Sequence, residues 1–247
     1  WHDVMCANMD YPDDLAPVIA NEVSTEFARL AARPCVAVIC GNSEVEQQAA
    51  MFGTVREQRE RVTAFEAALA EAARLRLPHA HFVRSSSSGG AFAHAPNAGP
   101  SSYYGVGAYR RPLEDARRSE VRFASECLAF ANIPSDPVLP RVHSPEWKRR
   151  APRDLGAGWD FDDVRDHYVK LLYGVDPATL RYADHDRYLA LGRAAVAEVM
   201  ERTFGEWRRA RSQSHGALIW FLRDLWPGAG WGVVDAHGRP KSAYHGV

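Results

Sequence analysis

The chain has 247 residues, 46% apolar and 25% charged, with 30 basic against 31 acidic side chains and a net charge of −1. This balance suits a globular domain with one sizeable core. It excludes the basic field that a nucleic acid backbone or an anionic membrane surface needs, and no apolar run approaches the roughly 20 residues of a membrane-spanning helix.

Trp1 opens directly into strand-like sequence, with a strand end at Val4-Met5-Cys6-Ala7 and a turn at Tyr11-Pro12-Asp13-Asp14. Leu15–Ala32 predicts an amphipathic helix, apolar at Val18, Ile19, Val23, Phe27 and Leu30 and ended by Arg33-Pro34. Cys35–Cys40 is a continuous apolar run with Val36, Val38 and Ile39, the pattern of a parallel strand covered on both faces. Gly41-Asn42-Ser43-Glu44 ends it. Helices follow over Glu46–Phe52 and Thr63–Leu75, a short strand over His81–Val83, and a loop rich in Ser, Gly and Pro over Arg84–Pro100. Tyr103–Val106 follows, then Pro112–Arg118 predicts a polar helix and Val121–Ala124 a strand closed by Ser125-Glu126. The stretch 127–215 reads as loop and helix, with a strong helix from about Ala183 to Arg211 whose arginines form a solvated face. Ala217–Phe221 is the last predicted strand.

Strand, loop, helix and strand in repetition argue for an α/β domain with parallel strands. Polar residues gather where strands end: Asn42 and Glu44, Arg84 and Ser85, Tyr103, Glu126, Trp220 and Asp224. In a (β/α)8 barrel all such ends open on the face that carries the chemistry, and an open doubly wound sheet also places its site at strand ends. No Gly-rich phosphate loop is present to anchor a nucleotide. Two glutamates at the ends of apolar strands fit glycoside hydrolysis, which needs one protonated and one ionised carboxyl; a glutamate closing a strand is equally a helix-start or surface charge. His79 and His81 share a strand face, but no third ligand has suitable spacing, so no metal and no cofactor is expected.

Larger motifs carry a resemblance. Leu218–Gly228, Trp231–Asp235 and Arg239–His245 resemble the last barrel strand of the glycoside hydrolase family 2 β-mannosidases and its run into a following sandwich domain. Arg33-Pro34 with Val36–Glu44 is similar to the fourth strand, Tyr103–Val106 to the sixth, Arg122–Glu126 to the seventh, and Trp1–Pro12 to the end of the third. The resemblance implies an incomplete (β/α)8 barrel over 1–247, about strands 3 to 8, without the family's N-terminal sandwich domains, first strands and C-terminal sandwich. The start at Trp1 and the stop at Tyr244-His245-Gly246-Val247 give the same expectation of a part of something longer.

The roles implied are Glu44 as general acid/base, Glu126 as nucleophile, Tyr103 as the phenol that orients Glu126, Trp220 as a sugar platform, and Asn42, Ser43, Asp224 and Trp226 as substrate contacts. The implied activity is retaining hydrolysis of terminal β-mannosides; the alternatives are another family 2 β-glycosidase or a non-catalytic carbohydrate-binding relic. The expected partner is a β-linked glycoside, with the missing domains of the parent chain. Several positions depart from the family pattern: Ser43 stands where Asn is usual, Ser102 and Tyr104 flank Tyr103 where His and Trp are usual, Cys127 and Leu128 follow Glu126 where an aromatic and Gly are usual, and Arg223 replaces Asn. The four cysteines, none in a C-x-x-C pair, read as buried free thiols and favour a reducing, cytoplasmic setting.

Overall fold

The structure is a computed structural model that describes residues 1–4, 6, 15–53, 55–135 and 161–247, with the backbone alone over 55–65. The strand end through Met5 and Ala7 and the turn at Tyr11–Asp14 lie outside the described residues. The chain divides into two compact units, Trp1–Ser102 and Tyr103–Val247.

In the first unit, β1 (His2–Asp3), β2 (Val38–Cys40) and β3 (His81–Val83) form a parallel sheet in the order β1-β2-β3. Ile39 pairs with His2 on one side and Phe82 on the other, so β2 is the central strand. This is why the apolar run has no polar face, and both Ile39 and Cys40 are fully buried. The strand begins only at Val38, and Cys35 is exposed. Helix α1 (Leu15–Leu30) buries Val23 and Phe27 and packs on α3 (Val55–Arg76), which contributes Leu69 and Ala73 to the same core, with Leu77 just beyond its end. Short α2 (Val45–Phe52) starts directly after Glu44 and ends at Gly53, whose left-handed φ of 72° suits a helix C-terminus. β4 (Pro100–Tyr103) leads out of this unit and ends at Tyr103, whereas the resemblance set the strand at Tyr103–Val106.

In the second unit, α4 (Asp115–Arg118) precedes β5 (Phe123–Cys127), which runs through Glu126 instead of stopping short of it. The predicted strand at Ala217–Phe221 is an extended segment held to β5 by a parallel bridge at Ala124 and Ala217, with Leu218 N–H donating to Ala124 O at 2.8 Å and Trp220 N–H to Cys127 O at 3.2 Å. Helices α5 (Phe161–Tyr173), α6 (Pro177–Ala183) and α7 (His185–Arg208) pack on one another. Asp176 and Asp184 cap α6 and α7 by accepting from Thr179 N–H at 3.2 Å and Arg187 N–H at 3.0 Å. The buried residues of α7, among them Tyr188, Ala195, Val199 and Trp207, recur at helical spacing, which leaves Arg187, Arg202 and Arg208 exposed, while the partly buried Arg193 donates to Pro134 O at 2.8 Å. Arg165 of α5 is fully buried but answered by Asp162 at 2.7 Å, Asp166 at 3.0 Å and the Tyr188 hydroxyl. Helix α8 (Ser242–His245) packs on α7. Five strands are formed among the described residues, and the architecture is mixed α/β.

All four cysteines are free thiols; Cys6, Cys40 and Cys127 are buried, and burial pushes the Cys40 and Cys127 thiols far above their ordinary range. Among the described residues no helix is long and apolar enough to cross a membrane.

Candidate active site

Glu44 closes the segment that continues β2. Ser43 bridges Ser86 in parallel, Ser86 N–H donates to Asn42 O at 3.0 Å, and Glu44 N–H donates to Ser86 O. The ladder between β2 and β3 therefore runs past both strands and fixes the backbone that carries Glu44. Glu44 adopts a left-handed φ of 61° at the N-cap of α2, without a side-chain cap bond. For a residue with a Cβ this conformation costs of order 1–3 kcal/mol and persists only where surrounding bonds hold it. The carboxylate accepts from Gln47 Nε2 at 3.3 Å.

Asn42 is buried, and its side chain is committed within the unit. Its amide donates to Glu66 Oε1 at 3.0 Å and Arg84 O at 3.2 Å, and its carbonyl accepts from Ser85 Oγ at 2.6 Å. The sugar contact expected of Asn42 is thus replaced by a brace from the ends of β2 and β3 to the middle of α3. Glu66, which the sequence pattern did not single out, is buried beneath it; burial pushes its carboxyl up to about 7, against the opposing pull of Arg84. Ser43 is also buried.

In the second unit, Glu126 is buried and accepts a hydrogen bond from the Tyr104 hydroxyl at 2.7 Å. Here the expectation for Tyr103 is corrected. Successive side chains along an extended segment point to opposite sides, so only one of two adjacent tyrosines can face Glu126. Tyr103 turns into the core, stacks edge-on with Trp207 at 5.3 Å, and donates its single hydroxyl proton to Asp115 Oδ2 at 2.8 Å. Burial, reinforced by Asp115, raises the Tyr103 phenol well above its ordinary value. Gly105 is required beside it, because a Cβ there would lie 2.3 Å from Asp115 Oδ2. Tyr168 of α5 steadies the following turn: its hydroxyl accepts from Gly107 N–H and donates to Arg111 O, each at 2.8 Å.

Trp220 is half-buried, with Trp231 and Phe221 at ring distances of 6.4 and 5.9 Å. Asp224 departs from its expected role as a substrate contact. Its carboxylate is 5% exposed, pairs with the buried Lys241 ammonium through Oδ2, and accepts from Gly232 N–H at 2.8 Å through Oδ1. Lys241 also donates to Asn132 O at 2.9 Å and Gly230 O at 3.3 Å, so this cluster ties the 224–241 loop together. Trp226 is 81% exposed, beside Leu225 at 88% and Leu222 at 68%. Among the described residues no three His, Cys, Asp or Glu side chains converge as a metal-binding group.

Glu126 with its Tyr104 phenol donor stands at the end of one extended run, and Glu44 stands at the end of another, each within its own unit. No family model matches the chain. It is 35% identical over 92 residues to β-mannosidase B of Aspergillus niger and 34% identical over 92 residues to that of Aspergillus terreus; each match covers 36% of this chain and 11% of the relative. The chain resembles the β-mannosidases of glycoside hydrolase family 2. Among solved structures, the β-D-mannosidase of Dictyoglomus thermophilum matches with a TM-score of 0.80 at 15% identity, over 100% of this chain and 30% of that one. The exo-chitosanase of Amycolatopsis orientalis, solved with PNP-β-D-glucosamine, matches with a TM-score of 0.67 at 16% identity, over 99% of this chain and 30% of that one. At these identities the likeness is one of fold. The chain spans about a third of the length of these solved proteins.

Proposed function

We propose that this chain carries the catalytic residues of a retaining β-glycosidase acting on terminal β-mannosides, on an incomplete (β/α)8 barrel. Glu44, protonated, delivers its proton to the glycosidic oxygen while Glu126, ionised, attacks the anomeric carbon. The leaving group departs as an alcohol, and a covalent glycosyl–Glu126 ester remains. Glu44, now a carboxylate, removes a proton from water, the water displaces Glu126 from the anomeric carbon, and two inversions give net retention. A retaining pair works at a carboxyl separation of roughly 5–5.5 Å.

The observation that best supports this reading is the Tyr104 hydroxyl on the buried Glu126 carboxylate at 2.7 Å. A phenol donor favours the ionised carboxylate, the form a nucleophile needs. Asn42 and Tyr103 act as positioning residues, and the half-buried Trp220 ring supplies the apolar platform. Ser43 and the exposed Trp226 are the remaining sugar contacts. A second reading, a β-glucosaminide as substrate, is favoured by the likeness to the exo-chitosanase together with Ser43 in place of the usual Asn.

The test is intact-mass analysis after incubation with 2-deoxy-2-fluoro-β-mannosyl fluoride, and with the corresponding gluco reagent. One adduct that maps to Glu126 and is absent from Glu126→Gln is expected with the manno reagent. Labelling by the gluco reagent alone moves the substrate to the second reading. No labelling by either removes Glu126 as a nucleophile.

A further inference from the structure

We infer that Gln47 is the residue that decides which oxygen of Glu44 carries the catalytic proton, through a one-way hydrogen-bond relay that begins at the main chain of Ser102. The inference rests on Glu44 being the general acid/base.

The relay has three links, all within the first unit. Ser102 N–H donates to Ser87 Oγ at 2.7 Å. Ser87 Oγ donates to Gln47 Oε1 at 3.0 Å. Gln47 Nε2 donates to Glu44 Oε1 at 3.3 Å. A backbone N–H can only donate, so Ser87 Oγ accepts from it, and the buried hydroxyl gives its own proton to Gln47. That proton needs the carbonyl oxygen of the Gln47 amide, so the NH2 end must face Glu44. The amide is thereby locked against the flip that exchanges its two ends.

The local fold brings this about. Gln47 is the third helical residue of α2, one turn beyond Glu44 at the N-cap, where an N-terminal Gln or Glu commonly reaches back to the cap residue. Here it reaches the side chain of Glu44. Ser87 is fully buried and Gln47 is 8% exposed, so water is a poor substitute for either link.

The chemical consequence follows from valence. A protonated carboxyl has one hydroxyl oxygen and one carbonyl oxygen, and the carbonyl oxygen is the stronger acceptor for an amide N–H. With Gln47 on Oε1, the proton of Glu44 resides on Oε2. Glycosylation then moves that proton from Oε2 to the departing glycosidic oxygen as the anomeric C–O bond breaks, and deglycosylation returns a proton from water to Oε2. Without the relay the proton distributes over both oxygens, and a share of Glu44 carboxyls present a carbonyl where a donor is needed.

The experiment uses the full chain and two β-mannosides: a 2,4-dinitrophenyl glycoside, whose leaving group departs without a proton, and a methyl glycoside, whose leaving group does not. The readout is kcat/KM, which covers the steps through glycosylation. Glu44→Ala is measured first, and a loss confined to the methyl glycoside is expected. Gln47→Leu, of similar length and without hydrogens to donate, is expected to lose about 10-fold or more on the methyl glycoside and less than about 2-fold on the dinitrophenyl glycoside, a fraction of the 10²–10⁴ a general acid supplies. Ser87→Ala frees the amide to flip and is expected to give a smaller loss with the same selectivity; it decides alone if Gln47→Leu does not fold. Equal losses on both substrates, or none, with Glu44→Ala selective, overturn the role of Gln47 and leave Glu44 in place. A Glu44→Ala chain with no selectivity, or a wild type that turns over neither glycoside, overturns the role of Glu44 itself and the inference with it.

Discussion

Replacing Tyr104 with Phe separates two tyrosines that the sequence places side by side. The change deletes one hydroxyl whose proton lies 2.7 Å from a Glu126 oxygen and leaves the ring in place. A hydrogen bond to a charged group contributes about 1.5–3 kcal/mol, and each 1.36 kcal/mol is a factor of ten in rate. If that bond is fully used in the attack of Glu126, Tyr104→Phe slows glycosylation by roughly 10- to 150-fold. Tyr103→Phe deletes a bond to Asp115 and an acceptor for Val106 N–H at 3.3 Å, both within the core. It should lower stability by about 1–2 kcal/mol and change the rate less than about 3-fold. The assay is the first-order rate constant for covalent labelling by the 2-fluoro mannosyl fluoride, beside urea denaturation of each variant. A slow Tyr103→Phe and an unaffected Tyr104→Phe would refute the assignment made from the hydrogen bonds.

Two further outcomes concern the braces around the site. Lys241→Met leaves Asp224 buried with its bond from Gly232 N–H but without its counter-ion; an unanswered buried charge costs about 3–5 kcal/mol, and Asp224→Asn in the same chain should recover part of it, both read by denaturant midpoint at constant m. Glu66 has a folded carboxyl raised from 4.5 to about 7, chiefly by burial. The folded state therefore holds more protons than the unfolded state between these values, and stability falls as pH rises across that window. The full effect is of order 3 kcal/mol, present below about pH 4.5 and lost above about pH 7. Glu66→Gln should flatten that slope; denaturation midpoints at pH 5, 6, 7 and 8 that fall in parallel for both chains would assign the slope elsewhere.

The strand ends and their glutamates were legible in the sequence because a run such as Val36–Cys40, rich in β-branched residues, suits a central parallel strand, and the polar residues after it lie where that strand gives way to α2. The long helix of α7 was legible from its periodicity, and α1 to within two residues of its end at Leu30. The last strand was not. Ala217–Phe221 has strand composition but forms a single bridge, because pairing depends on a partner that local propensity does not contain.

Sequence alone determined which residue types stand at the ends of the extended runs, the acids Glu44 and Glu126 among them, since hydrophobic patterning and chain direction fix these without knowledge of neighbours. Only the tertiary structure decided which side chains touch. It chose Tyr104 over Tyr103 because one residue of strand register reverses the face, and it turned Asp224 inward to Lys241 and Asn42 inward to Glu66 because buried polar groups must find partners that lie 17 and 24 residues away.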